Sequence, residues 1–194
     1  QDLRAQTDRL QQSDADKSSL LEQLRVQSEA FERMALEDEL TGIGNRRNLD
    51  TRLGQVFHDA VASGQPMSLA LFDIDDFKRI NDRYSHAAGD QALVSVAHAL
   101  RDGIGDKGEV ARWGGEEFVV LLPGMTLEVA RNLCEQLRQR VEAIDCSSYA
   151  PGWQVTISGG VTERTGVTHH ERLVGRADAL LYEAKRAGRN RICG

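Results

Sequence analysis

From Gly42 onward the chain switches repeatedly between a helical and a strand hydrophobic period, and the order of those switches admits few folds. "RRNLDTRLGQVFHDAVASG" places Leu49, Leu53, Phe57, Ala60 and Val61 on one helical face and stops at Gly64. "MSLALFDID" follows as a strand whose mostly apolar centre fits a buried position. Helical patterns then fill 76–83 and 88–102, and a hairpin occupies 109–122. A helix over 126–144, the strand "WQVTISGGVTE", a helix over 169–187 and a short edge strand in "RNRIC" complete the chain. The order β-α-α-β-β-α-β-α-β predicts an α+β fold, a ferredoxin-like or palm-type sheet with helices packed around it. In that arrangement helices pack on one face, the functional face lies elsewhere, and the first strand neighbours the hairpin.

The segment before this pattern differs in kind. Residues 1 to about 40 hold no Pro or Gly and are rich in Gln, Leu, Arg, Glu and Ala, which predicts a long helix. Leu3, Leu10, Leu24 and Phe31 keep a spacing of seven with Lys17 interrupting, and Leu20 and Met34 occupy the second seam position. So polar a helix has little to fold against by itself, so pairing with a second copy is expected. The expected domains are 1–40, a coiled-coil dimerisation or signalling segment, and 41–194, a globular domain broken off by Gly42 and Gly44 in "TGIGNRR".

Composition excludes several classes. The 194 residues carry a formal charge of −6, which argues against a nucleic-acid footprint. Three cysteines, Cys134, Cys146 and Cys193, form no CxxC pair and indicate neither a disulfide framework nor a zinc site. No stretch approaches the roughly 18 apolar residues of a membrane span. The expected setting is cytoplasmic, without membrane contact by this segment. The chain opens at Gln1 without Met, so a sensor or anchor upstream remains compatible.

Chemistry enters with the carboxylates. "ARWGGEEFVVLLPG" sets Glu116 and Glu117 beside Gly114-Gly115, glycines suited to the positive φ of a tight turn. Successive strand residues point to opposite faces, so both acids face one way only if the turn twists the backbone there. The strand "LALFDIDDF" ends in Asp73, Asp75 and Asp76, and its place beside the hairpin lets Asp73 approach the glutamate pair. Three carboxylates in one cavity repel one another unless a hard divalent cation neutralises them, as magnesium does between carboxylates and nucleotide phosphates. For Asp73 alone, a helix N-cap is the simpler alternative.

"DELTGIGNRR", "FDIDDFKRINDRYSHAAGDQAL", "RWGGEEF", "TISGGV" and "ADALLYEAKRAGRNR" together resemble the GGDEF family of diguanylate cyclases, in order from about Met34 to Arg191. The resemblance implies condensation of two GTP molecules, one per subunit of a homodimer, to cyclic di-GMP and pyrophosphate. It implies Mg2+ (or Mn2+) held by Asp73, Glu116 and the backbone carbonyl of Ile74, with Glu117 at or near the metals. Glu116 is the implied general base on the ribose 3′ hydroxyl, and Lys78 an implied stabiliser of transition-state charge. Asn81 and Asp90 match guanine-binding positions: a carboxylate accepts from N1 and N2 donors that adenine lacks, and an amide reads the acceptor edge. His86 lies between them, either framing the base or serving as a core histidine. Lys185 and Arg189, four apart near the end of the last predicted helix, match a phosphate-contacting pair, though such spacing is also common on solvated helices.

One departure bears on regulation. Many members carry an RxxD product-binding site whose Arg lies nine residues before the first signature glycine. Here that window reads Gly105-Asp106-Lys107-Gly108, so product feedback there is not expected. Ser85 also replaces a usual glycine, a change expected to leave its turn intact. Two other readings compete: a degenerate nucleotide receptor, which would usually lose a signature acid, and a cyclase using ATP, against which Asp90 argues.

Overall fold

The computed structural model describes residue 17, residues 20–27 and residues 34–194. The chain forms two compact units, Gln1–Leu36 and Glu37–Gly194. In the first, residues 20–27 and 34–36 are helical, and Leu20, Leu24 and Met34 are exposed. Leu3, Leu10 and Phe31 of the expected seam lie outside the described residues. The helical stretch ends at 36 rather than near 40, because Asp38 accepts from both the backbone N–H and the hydroxyl of Thr41, closing a local turn.

The second unit runs α1 (Arg46–Ser63), β1 (Met67–Ile74), α2 (Phe77–Arg83), α3 (His86–Ile104), a 3-10 turn (Gly105–Lys107), β2 (Glu109–Gly114), β3 (Glu117–Pro123), α4 (Leu127–Glu142), β4 (Ile157–Glu163), α5 (Glu171–Arg186) and β5 (Ile192–Cys193). The five strands stand in the order β2-β3-β1-β4-β5. β1 pairs antiparallel with both β3 and β4, and β5 joins β4 in parallel. The first four strands therefore have the ferredoxin-like order that the sequence predicts.

Helices cover both faces, not one. Ala70, Phe72 and Ile74 of β1 pack with α3 and α4 residues such as Val96, Leu100, Leu133 and Leu137. Leu69 and Leu71 pack with Leu49, Leu53 and Phe57 of α1 and with Leu173, Ala177 and Leu181 of α5. All eight residues of β1 are buried, as a strand sandwiched between two helical layers must be. The close seat of α5 depends on Gly160, where an added Cβ would collide with the Ala177 carbonyl oxygen. With helices on both faces, the strand ends are where the candidate site is sought.

Candidate active site

The C-terminal end of β1 delivers the first acid. Asp73 follows Leu69 and Leu71 on the α1/α5 side of the strand, opposite Glu117 on β3 and Ser158 on β4. It is only 6% exposed. The Lys185 ammonium, from the last turn of α5, lies 2.8 Å from its Oδ2. Burial nevertheless pushes the Asp73 carboxyl up to about 6; Lys185 opposes this, while Glu116 and Glu117 add to it. One lysine does not compensate three carboxylates in a half-dry site. Burial likewise raises Glu117, with Asp178 and Glu116 adding and Lys185 and Arg46 opposing.

The hairpin places the two adjacent acids differently. Gly114 pairs with Glu117 after a register shift at Trp113, so the tight turn is Gly115-Glu116 rather than Gly114-Gly115. Of the two glycines only Gly115 has a positive φ, 48°. Glu117 thus belongs to the strand beside Asp73, while Glu116 caps the turn and its carbonyl accepts from the Ile74 N–H at 3.2 Å. The bulge supplies the twist that simple alternation lacks. Arg112 locks this geometry: its guanidinium donates to the Gly115 carbonyl at 2.8 and 3.0 Å and to Asp38 at 3.1 and 3.2 Å. Burial works against ionisation of Asp38, but its bonds from Thr41 and Arg112 prevail and hold it below the usual range.

Asn81 and Asp90 converge from two helices. Asn81, half-buried on α2, sits so close to Gly89 of α3 that a Cβ there would strike its Oδ1, and exposed Asp90 is the next residue. His86 is exposed in the first turn of α3, which removes the core-histidine alternative. Ser85 is the N-cap of that helix, its Oγ accepting from the Ala88 N–H at 3.1 Å, so serine serves the turn well. Lys78 is exposed on α2, on the segment that follows the acids of β1.

For the basic pair the solvated-helix alternative falls away. α5 ends at Arg186, and Arg189 lies beyond it with φ 62°, so Lys185 and Arg189 do not share a helical face. Gly188 at φ 112° turns the chain first. Each base meets an acid: Lys185 meets Asp73, and Arg189 Nε lies 3.6 Å from Asp76 Oδ1. Sequence reasoning also missed Arg112, Asp38 and Asp178. An arginine three residues before a turn carbonyl was the available signal for the first.

Among the described residues, no three His, Cys, Asp or Glu side chains stand close enough to form a preformed metal cage. The donor chemistry still fits a hard cation. Asp73, Glu116, Glu117 and the Ile74 carbonyl offer oxygen donors, and Glu116 and Glu117 stand near enough to Asp73 to add to the upward shift that its burial causes. Among the described residues, no helix is long and apolar enough to cross a membrane.

Comparison with known proteins agrees with this geometry. The profile "Diguanylate cyclase, GGDEF domain" matches residues 35–191. The diguanylate cyclase DgcP of Pseudomonas aeruginosa is 44% identical over 158 residues, 81% of this chain and 24% of that protein. The coiled coil and GGDEF domain of DgcB from Caulobacter crescentus, solved in complex with c-di-GMP, superposes with a TM-score of 0.86 at 33% identity, covering 95% of this chain and 98% of that one. The active GGEEF domain of a Vibrio cholerae diguanylate cyclase gives a TM-score of 0.73 at 36% identity, over 77% of this chain and 95% of that one. The chain spans between 24% and 50% of the length of the first curated relatives it matches.

Proposed function

Because the chain belongs to the GGDEF family of diguanylate cyclases, we propose that it joins two GTP molecules into cyclic di-GMP, each ribose 3′ oxygen displacing pyrophosphate from the partner's α-phosphate. The observation that carries this reading is the buried Asp73 carboxyl, raised to about 6 beside the turn glutamates and met by a single lysine. Such a cluster suits a ligand that brings cations and phosphate together.

Asp73, Glu116, Glu117 and the Ile74 carbonyl would hold Mg2+ or Mn2+. A bound divalent ion supplies charge neutralisation on the phosphate oxygens as the α-phosphate is attacked. Glu116, at the tip of the turn, takes the 3′ hydroxyl proton as general base. Lys78, Lys185 and Arg189 bind the triphosphate, and Lys185 leaves Asp73 as it does so. Asp90 accepts from guanine N1 and N2 and Asn81 reads the opposite edge, with His86 beside them; the contact of Asn81 with Gly89 supports their acting as one pocket.

Each domain holds half of the reaction, so reacting atoms must come within about 3–3.5 Å across a homodimer. We assign the pairing to the N-terminal helical segment, whose Leu20 and Leu24 are exposed. The RxxD product site is lacking in this reading: Gly105 has φ 53°, unfavourable for arginine, and a Cβ at Gly108 would collide with the Leu121 carbonyl oxygen. Added cyclic di-GMP should therefore inhibit only weakly and competitively.

The test is incubation of the purified chain with GTP and Mg2+ and identification of the nucleotide product by mass spectrometry. Cyclic di-GMP is expected; GTP left unchanged at high protein concentration, or an equal yield from ATP, would overturn the reading.

A further inference from the structure

Two turns at the mouth of the site leave the right-handed backbone region without relying on glycine. Asp76, just after β1, has φ 54°; Arg189 and Asn190, after α5, have φ 62° and 48°. Asp and Asn enter that region more readily than other non-glycine residues, whereas a residue such as Arg189 stays there only where its surroundings hold it, and such outliers gather at ligand clamps.

The group that holds the second turn is Asp75. It is buried, and both of its carboxylate oxygens are taken up by protein donors. Its Oδ2 accepts from the Asn190 backbone N–H at 3.0 Å and from the Thr156 hydroxyl at 2.8 Å, and its Oδ1 accepts from the Ser158 hydroxyl at 2.7 Å. The Asn190 side chain fastens the same turn from the other side. Its Oδ1 accepts from Arg138 Nη1 at 2.6 Å and its Nδ2 donates to Glu142 Oε1 at 2.7 Å. Arg138 is itself buried and held by Glu135 and Glu142, each at 2.8 Å. Among the side chains that this scaffold leaves exposed is Arg189, directed at Asp76. A buried carboxylate is a costly way to close a surface turn unless the exact placement of that turn matters.

We propose that Asp75 is a positioning residue: through the Asn190 N–H it fixes the turn that presents Arg189 to the triphosphate of GTP. The proposal rests on the cyclase reading above. Asp75 and Asn190 belong to the binding step only through Arg189, so their loss and the loss of Arg189 are not independent.

The experiment is a double-mutant cycle on the full chain, reading the dissociation constant of the α,β-methylene analogue of GTP with Mg2+ by calorimetry. Asp75→Asn and Arg189→Ala are each expected to weaken binding about tenfold, and the double variant no more than about twofold beyond Arg189→Ala. Asn190→Gly keeps the backbone N–H and accepts the positive φ while losing Arg138 and Glu142. It should follow the same pattern and serves if Asp75→Asn does not fold. Losses that multiply to about a hundredfold in the double variants, or unchanged affinity in Asp75→Asn and Asn190→Gly, would overturn the proposal while wild-type product formation stands. A wild-type chain that neither binds the analogue nor forms cyclic di-GMP is the distinct failure of the cyclase reading, and this proposal falls with it.

Discussion

Along β1 the two sides of the sheet part company at residue 73. On the α3/α4 side the strand is apolar to its last residue, through Ala70, Phe72 and Ile74. On the α1/α5 side the same alternation runs Leu69, Leu71 and then Asp73, with Asp75 beyond the strand. Both sides are buried, so the contrast is not one of core against surface. The first side buries apolar area and gains stability by it. The second buries carboxylates, which costs stability unless cations or donors meet them. Asp75 is met by three donors, while Asp73 is met by a lysine that the proposed substrate would draw away. The difference separates what holds the fold from what the proposed reaction would use, within one eight-residue strand.

That separation can be broken experimentally. The largest effect belongs to the acidic side: Asp73→Asn should lower cyclic di-GMP formation by at least about a thousandfold, because it removes an anionic oxygen from the proposed cation site. Retention of a tenth of the wild-type rate would remove Asp73 from the site. On the opposite side, Phe72→Ala should cost about 3–5 kcal/mol in urea unfolding, since its ring is fully buried between β1 and the α3/α4 layer. Turnover per folded molecule should change little, and a specific loss of turnover there would blur the two roles. A smaller effect tests the proposed guanine pocket: Asp90→Ser should weaken the preference for GTP over ATP by roughly 1–3 kcal/mol, read as the ratio of kcat/KM values. An unchanged ratio would place base recognition elsewhere.

The sequence carried the strand order and the presence of the hairpin well, because β1, the hairpin and β4 each show a clear period and the order of elements leaves few topologies. It carried much less about the second helical layer. An amphipathic helix announces that it has an apolar face but not which side of a sheet receives it, and α5 reaches β4 only because Gly160 admits its backbone. Strand β4 starts at Ile157 rather than Trp153, and the Asp75 N–H donates to the Thr156 carbonyl one step beyond the last β1–β4 pair. At the site, Asp73 and the two glutamates were legible as acids at strand ends. The turn residue was misplaced by one because a bulge has no hydrophobic signature. The spacing of Arg189 from Lys185 fits a solvated helical face as well as a phosphate-contacting pair, while the bonds to Asn190 that hold the turn between them come from Asp75 and Arg138, far away in sequence. Hydrogen bonds that span 115 and 52 residues leave no local trace.

The central claim, that β1 holds Asp73 for chemistry at the expense of the fold, is tested most directly by the pH dependence of unfolding for wild type and Asp73→Asn, with a chelator present. The Asp73 pKa stands near 6 in the folded protein against 3.8 for the ordinary group, so folding favours the protonated acid. The contribution of that neutral form is fully present below about 3.8 and is lost as pH rises through about 6. The amide imitates the protonated acid at every pH, and Lys185, a third exposed, can return to water. Asp73→Asn should therefore be more stable than wild type by about 1–2 kcal/mol at pH 7.5, with the gain shrinking through pH 6 and gone below pH 4. A variant less stable than wild type at pH 7.5, or a gain independent of pH, would contradict the account.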